Sequence, residues 1–214
     1  MDVKKSSIII AGCGPGASDY LTPAACKAVE QAEVLVGAMR LLELFPGHQG
    51  EKIAVASDME KILREIDARR GKMRIVVLVT GDPGLCSLAR PIIKHFGRTA
   101  CEVIPGISSV QVAFARIGLD WLDARIIDAH GENPRIETAS LMTEGKIAVF
   151  AGRSEAIRWT AGLVKVLGEG RRIYLCENLT LKDEELRRVQ PAELDEIEAS
   201  SRTIVLIIKE ELFK

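Results

Sequence analysis

Three glycine-rich segments in the first half of the chain carry the residue types best suited to bind a small polar ligand. They read GCGPG at residues 12–16, TGDPG at 80–84 and PGISS at 105–109. Glycine lets main-chain amides approach a ligand without a Cβ in the way, and the aspartate and serines add an acceptor and two hydroxyls. We therefore expect these segments to hydrogen-bond a ligand, with Asp82 accepting from a hydroxyl or an ammonium group. Asp82 could instead close an Asx-turn on its own backbone.

Each segment follows an apolar run that predicts a β-strand, at residues 7–13, 75–79 and 100–104. The second run, IVVLV, is typical of a strand buried on both faces of a parallel sheet. Ligands of open α/β sheets bind beyond the carboxyl ends of the strands. The three segments should therefore gather along one edge of a sheet.

Helical patterns alternate with these strands. Thr22 is expected to cap a helix with Pro23 at its first position, and Ser57 or Asp58 to cap an amphipathic helix ending at Arg70. Ser87, Ser108 and Ser109 are further expected helix starts. This alternation predicts a two-domain α/β chain whose N-terminal domain, residues 1–119, has a mainly parallel sheet.

Residues 120–214 have fewer helices and shorter connections, which predicts a C-terminal α/β domain with a mixed sheet. Strands are expected at 125–129, 146–150, 171–176, 186–189 and 203–208. Helices are expected at 136–144, at 192–196, and from a Ser154 cap to residue 167.

Composition narrows the class of protein. The 214 residues carry a formal net charge of −1 with 4% aromatic residues, which argues against nucleic-acid binding. The five cysteines are scattered and form no CxxC pair, so we expect reduced thiols of a cytoplasmic protein, without disulfides or metal. The N-terminus lacks the pattern of a signal peptide, and no apolar run is long enough to span a membrane.

Taken alone, GCGPG also matches the first motif of Rossmann-type methyltransferases. Such a site needs an acidic residue after the next strand, but that strand, expected at 33–36, ends in Gly37-Ala38-Met39. The following helix is also delayed to Pro23, away from the glycines. The Rossmann interpretation is therefore disfavoured.

Together, the three segments resemble the motifs of the tetrapyrrole (corrin/porphyrin) methylase family, and the resemblance covers essentially the whole chain. Within that family the chain is similar to the branch that methylates C5 of a precorrin-6Y-type intermediate. Four stretches carry this finer likeness: VGAMRLL at 36–42, VIPGISSVQ at 103–111, ARIGL at 115–119 and ENLT at 177–180.

The resemblance implies a two-domain fold, a homodimer, and S-adenosylmethionine as cofactor, with S-adenosylhomocysteine as product. It also implies a tetrapyrrole substrate of cobalamin biosynthesis and a separate C15-methylating decarboxylase as functional partner. The positions that match the family's cofactor contacts are Pro15, Gly81, Asp82, Ser108, Ser109 and Ala151.

Catalysis in such an enzyme mostly needs alignment and exclusion of water, because the macrocycle supplies its own carbon nucleophile. His130, on a loop at a strand end next to Glu132, is the candidate base for removing a proton after methylation. Arg40, Arg116 and Arg135 are candidates to bind the substrate's carboxylates, as is Arg153.

Two positions depart from the family pattern. Members tend to have His-Gly-Arg where this chain has Glu132 as the third residue, so a basic contact is either missing or supplied by Arg135. An aromatic-Met pair is frequent where this chain has Phe150 and Ala151.

These departures leave other functions open. One is another methylase of the same fold, acting on a different precorrin position or resembling diphthine synthase. The ribosomal-RNA methylase branch is disfavoured by the TGDPG loop and the near-zero net charge. A non-catalytic tetrapyrrole-binding module is the remaining alternative.

Overall fold

A computed structural model describes residues 8–55 and 58–214. The predictions that concern Ser7 and Ser57 lie outside these residues. The chain divides into two compact units, Met1–Ser108 and Ser109–Lys214.

The first unit is built on a five-stranded parallel sheet. Its strands are β1 (Ile8–Gly12), β2 (Val34–Gly37), β3 (Glu51–Ala54), β4 (Ile75–Val79) and β5 (Cys101–Ile104). They lie in the order β3-β2-β4-β1-β5, and every pairing is parallel. All five residues of β4 are buried, as its unbroken apolar sequence predicts. The α/β class is thereby confirmed.

Helices cover both faces of this sheet. They are α1 (Pro23–Glu30), α2 (Met39–Leu42), α3 (Met59–Arg69) and α4 (Ala89–Phe96). One apolar cluster joins α3 and α4 to the sheet, and a second joins α1 and α2 to it.

Side-chain caps begin two of these helices. The Thr22 hydroxyl accepts from the Ala25 amide at 3.2 Å, and the Asp58 carboxylate accepts from the Lys61 amide at 3.0 Å. Helix α4 starts one residue later than predicted, with Leu88 at its N-cap, although the Ser87 hydroxyl still accepts from the Ala89 amide.

The second unit contains a mixed five-stranded sheet. Its elements are α5 (Ser109–Arg116), β6 (Arg125–Asp128), β7 (Lys146–Phe150), α6 (Ser154–Leu167), β8 (Arg171–Glu177), β9 (Glu185–Val189) and β10 (Thr203–Lys209). The strand order is β6-β7-β10-β8-β9. Only β6 and β7 pair in parallel among the described strands of this sheet, and the mixed sheet predicted for this half is confirmed.

The unit boundary differs from the predicted division at 119/120. The sequence predicts α5 as part of the first domain, but the helix belongs to the second unit and contacts β10 there.

Of the helices in the described part of the chain, none is long and apolar enough to cross a bilayer.

The predicted helix at 136–144 is wrong, because only a short 3-10 turn, Thr138–Leu141, forms there. The Arg171 guanidinium donates to the carbonyls of Met142 and Glu144 at 3.0 and 2.8 Å. A side chain distant in sequence thus occupies acceptors at the end of this segment. The expected helix at 192–196 is likewise a 3-10 turn, Glu193–Glu196.

Candidate functional site

The loops that follow β1 and β4 are hydrogen-bonded to each other beyond the end of the sheet. The Cys13 amide donates to the Val79 carbonyl at 2.9 Å, and the Gly81 amide donates to the Gly14 carbonyl at 2.8 Å. These strands are neighbours, with β5 on the other side of β1. The three glycine-rich segments therefore meet at one edge of the sheet, as their sequences predict.

Glycine is required where these loops cross. A Cβ at Gly106 would lie 2.4 Å from the Gly81 carbonyl oxygen, and a Cβ at Gly12 would lie 2.6 Å from the Gly106 nitrogen. Gly14 and Gly81 also have positive φ angles of 70° and 64°. Main chain from all three loops thus packs more closely than any other residue type permits.

Asp82 ties the β4 loop to the β5 loop. One carboxylate oxygen accepts from the Gly84 amide at 2.7 Å, and the other accepts from the Gly106 amide at 3.1 Å. The first bond is the Asx-turn that its sequence allowed, whereas sequence reasoning missed the second. Each oxygen keeps a further lone pair, so the carboxylate can hold the loops and still accept from a ligand.

Four of the six predicted cofactor residues lie on the part of these loops that belongs to the first unit. Pro15 and Ser108 are buried, and a Cβ on Gly81 would lie 3.7 Å from the Ser108 Cα. With Asp82 they form a cluster within the first unit. The other two residues, Ser109 and Ala151, belong to the second unit.

Arg40 is placed beside the β4 loop by the strand order. Its guanidinium donates to the Thr80 hydroxyl, one residue before Gly81. Strand β2 precedes α2 and lies next to β4, so residues forty positions apart in sequence become neighbours. This brings a cation to the same sheet edge as the glycine loops.

Cys13 lies within the first loop but is not a nucleophile. Burial raises the pKa of its thiol to about 12, and the buried side chain stays protonated at neutral pH. It acts as a small core residue, whereas Cys86 is exposed.

His130 and Ala151 occupy the same end of the second unit's sheet. They follow the parallel strands β6 and β7, and the Ala129 amide donates to the Phe150 carbonyl at 3.2 Å. The His130 ring lies 5.3 Å from the Phe150 ring, and its side chain is 46% exposed. Its Nδ1 is 3.5 Å from a carboxylate oxygen of Asp128, so Asp128 is its charged neighbour.

Arg153 holds the loop that carries His130. Its guanidinium donates to the Ala129 carbonyl at 2.9 Å and to the Asn133 amide oxygen at 2.6 Å. Sequence reasoning grouped Arg153 with the possible carboxylate contacts. The hydrogen bonds instead give it a structural role on either side of His130.

Arg116 forms a two-bond ion pair with Glu184. The guanidinium donates to the two carboxylate oxygens at 2.6 and 3.1 Å. Glu184 also accepts from the Thr180 amide at 2.5 Å, and these contacts hold the pKa of its carboxyl below the usual range. Thr180 has a φ of 73°, which is rare for a β-branched residue.

Arg135 is exposed and takes part in no ion pair recorded among the described residues. The three predicted substrate arginines therefore differ in setting. Arg40 contacts a hydroxyl, Arg116 is paired with a carboxylate, and Arg135 faces solvent. The sequence carried no signal that separates them, because the partners of Arg40 and Arg116 lie 40 and 68 positions away along the chain.

Comparisons with known proteins agree with this geometry. The family model for Tetrapyrrole (Corrin/Porphyrin) Methylases matches residues 7–195. A cobalt-precorrin-7 C(5)-methyltransferase of Salmonella typhimurium is 33% identical over 180 residues, covering 84% of this chain and 88% of that protein.

Two solved structures extend the comparison. The precorrin-6Y methylase (cbiE) of Archaeoglobus fulgidus superposes with a TM-score of 0.74 at 26% identity, covering 96% of this chain and 99% of the other. The uroporphyrin-III C-methyl transferase of Thermus thermophilus, complexed with S-adenyl homocysteine, shares the fold. Its TM-score is 0.75 at 19% identity, with 94% of this chain and 92% of that chain covered.

Proposed function

Because the chain belongs to the tetrapyrrole (corrin/porphyrin) methylase family, we propose that it methylates C5 of a cobalt-precorrin in cobalamin biosynthesis, using S-adenosylmethionine. The 33% identity to a cobalt-precorrin-7 C(5)-methyltransferase supports this choice of substrate. The observation that carries the proposal is the interlocking of the three glycine loops at one sheet edge, since it provides a built binding surface.

The chemistry of these loops fits the proposed cofactor. Crossing glycines leave main-chain groups accessible where side chains would otherwise stand, and Asp82 has lone pairs for a ribose hydroxyl or an ammonium group. Pro15, Gly81 and Ser108 complete the part of the site in the first unit. By family resemblance, Ser109 and Ala151 are also proposed as cofactor contacts.

When bound, the cofactor supplies an electrophilic methyl group on a positively charged sulfur. The loops' task is to hold that group in line with C5 of the macrocycle and to exclude water. No nucleophilic side chain is needed, and the buried, protonated thiol of Cys13 is consistent with this.

His130 is the group proposed to take up the proton that leaves the methylated carbon. A neutral imidazole accepts a proton at one nitrogen, and Asp128, 3.5 Å from Nδ1, stabilises the charged ring that results. Arg153 keeps the loop in place through Ala129 and Asn133.

Arg40, Arg116 and Arg135 are proposed to bind carboxylates of the substrate. Guanidinium groups suit this role because they present a fork of donors that matches a carboxylate. Arg116 would have to exchange or share its pairing with Glu184.

We place the enzyme in the cytoplasm as a homodimer, with a separate C15-methylating decarboxylase as its functional partner. Five free cysteines support a reducing compartment. The dimer and the partner rest on the resemblance to the family, and sedimentation of the purified chain tests the dimer.

The direct test is an assay with isotopically labelled S-adenosylmethionine and cobalt-precorrin-7. We expect one labelled methyl group on C5, located by NMR of the product. Transfer to another carbon, or binding of the tetrapyrrole without transfer, would contradict the proposal.

Two variants separate binding from proton transfer in this assay. Asp82→Ala should weaken cofactor affinity, because it removes an acceptor and loosens the loops. His130→Ala should leave cofactor affinity unchanged and slow turnover by about 100-fold, the lower end for loss of a general base.

A further inference from the structure

A groove runs along the edge of the first unit's sheet, between α4 and β5. Strand β5 is the last strand in the sheet order, and Val103 on it is 43% exposed. The groove has a volume of about 780 Å³ and extends from Gly84 to Arg98. We call it the α4–β5 groove. Its apolar surface comes from Ile93 and Val103, among others.

Three cations line this groove at intervals of four residues. Arg90 and Lys94 lie on α4, and Arg98 opens the short turn that follows it. Four residues of helix advance about 6 Å, so Arg90 and Lys94 lie on one side of α4. All three side chains are exposed, and none takes part in an ion pair or hydrogen bond recorded for the described residues.

No acidic residue lines the α4–β5 groove in the described part of the chain. Glu102, the exposed carboxylate on β5, lines a different groove together with Ile104 and Lys27. Successive strand residues point to opposite faces, which separates Glu102 from Val103 and the three cations. The positive charge of the groove is therefore uncompensated.

We propose that the α4–β5 groove binds the polycarboxylate tetrapyrrole as a docking site separate from the cofactor loops. This proposal rests on the proposed function for the choice of ligand. Such a molecule has an apolar macrocycle with carboxylates on its rim, and the groove has an apolar floor with cations on its rim. Ligand and groove thus match in both charge and polarity.

The position of the groove gives this docking a consequence for the reaction. Pro83 and Gly84 line one end of the groove, and Asp82, the residue before them, ties the cofactor loops together. A tetrapyrrole held by the cations is therefore kept beside the β4 loop. Docking raises the local substrate concentration and should affect KM rather than kcat.

A second copy of this chain is a poorer occupant. Symmetric pairing of two β5 edges would bring the cations of one copy toward the same cations of the other, and like charges at close range oppose association. The charge of the groove instead favours an anionic small molecule.

The test replaces the three cations together, as Arg90→Gln, Lys94→Gln and Arg98→Gln. The matched control removes three exposed cations elsewhere in the same unit, as Lys61→Gln, Arg64→Gln and Lys72→Gln.

The ligands tested are cobyrinic acid, which is a corrinoid with free carboxylates, and its heptamethyl ester. Binding of each ligand is measured by calorimetry. Turnover of cobalt-precorrin-7 is measured in parallel.

We expect the groove variant to bind cobyrinic acid about tenfold more weakly than the wild type, in line with three exposed charge contacts. The control should stay within about twofold, and added salt should weaken wild-type binding. The ester should bind the wild type and the groove variant equally and weakly. In turnover, the groove variant should raise KM with kcat unchanged.

Equal affinity of the wild type and the groove variant for cobyrinic acid would overturn the proposal. Self-association that strengthens when the cations are removed would assign the groove to a second copy and also overturn it. If the wild type methylates cobalt-precorrin-7 and the groove variant has the same KM, the docking site is refuted and the proposed function stands. Charge-dependent binding of cobyrinic acid without methyl transfer refutes the proposed function alone.

Discussion

At the scale of single residues, the candidate site is built on main-chain crossings that only glycine allows. Gly106 is the tightest of these, because its missing Cβ would meet the Gly81 carbonyl and the Gly12 main chain. Both neighbours are backbone and cannot move aside as a flexible side chain does. Gly106→Ala should therefore lower the free energy of unfolding by about 2 kcal/mol and abolish cofactor binding.

The control for Gly106 is Gly47→Ala, in the same unit. A Cβ at Gly47 would have no atom within 4 Å, and its φ is not in the left-handed region. Urea denaturation and cofactor titration of both variants test the expectation. If Gly106→Ala were as stable as Gly47→Ala and still bound the cofactor, the close packing of the loops would be refuted.

The Arg116 pair with Glu184 gives a prediction about pH. The folded protein holds the pKa of Glu184 below its ordinary value of 4.5. A lowered carboxyl pKa stabilises the fold above the ordinary value, and this contribution is lost as the pH falls through the lowered pKa. Between roughly pH 5 and pH 3, the wild type should lose about 0.5 to 1 kcal/mol more stability than Arg116→Gln.

Urea unfolding midpoints across that interval provide the measurement. The two proteins should differ most at neutral pH and converge in acid. Parallel pH profiles for the wild type and Arg116→Gln would mean that the ion pair does not contribute to stability in solution.

At the scale of elements, replacing the glycine within α6 and the glycine just after it by alanine should have opposite effects on stability. Gly162 is exposed within the helix, and a Cβ there meets nothing within 4 Å. Gly168 follows the last helical residue with a φ of 74°. Gly162→Ala should stabilise the protein by about 1 kcal/mol, and Gly168→Ala should destabilise it by about 1 kcal/mol.

Thermal unfolding of these two variants checks the boundary of α6 directly. Because both are glycine-to-alanine changes at exposed positions six residues apart, their difference in melting temperature reports backbone conformation. A stabilising Gly168→Ala would show that the helix continues past Leu167.

Local sequence patterns predicted most of these elements. The caps at Thr22 and Asp58 and the buried run of β4 use short-range rules, and all three are present. The helix predicted at 136–144 was wrong, and the end of that segment is instead hydrogen-bonded by Arg171, nearly thirty residues away. Long-range hydrogen bonds of this kind leave no mark in a local pattern.

At the scale of the whole molecule, the sequence predicted two α/β units, a parallel sheet and a mixed sheet, and which loops would meet. It could not predict the Gly106 contact of Asp82 or the partners of Arg116 and Arg153, because each of these is set by strand order or by a loop distant in sequence. The contact of α5 with β10 is also long-range, so the strand–helix alternation did not indicate it. The chemistry of the loop residues predicted only that the ligand is small and polar. The identities of the cofactor and the substrate came from the family resemblance.

A crystal structure of this chain with S-adenosylhomocysteine would show directly which residues hold the cofactor. We predict that the ligand lies at the end of β4-β1-β5, within hydrogen-bonding distance of Asp82 and of main-chain groups in all three glycine loops. A ligand lying along the first glycine loop alone, as in a Rossmann fold, or bound away from Asp82 and Ser108, would contradict the account.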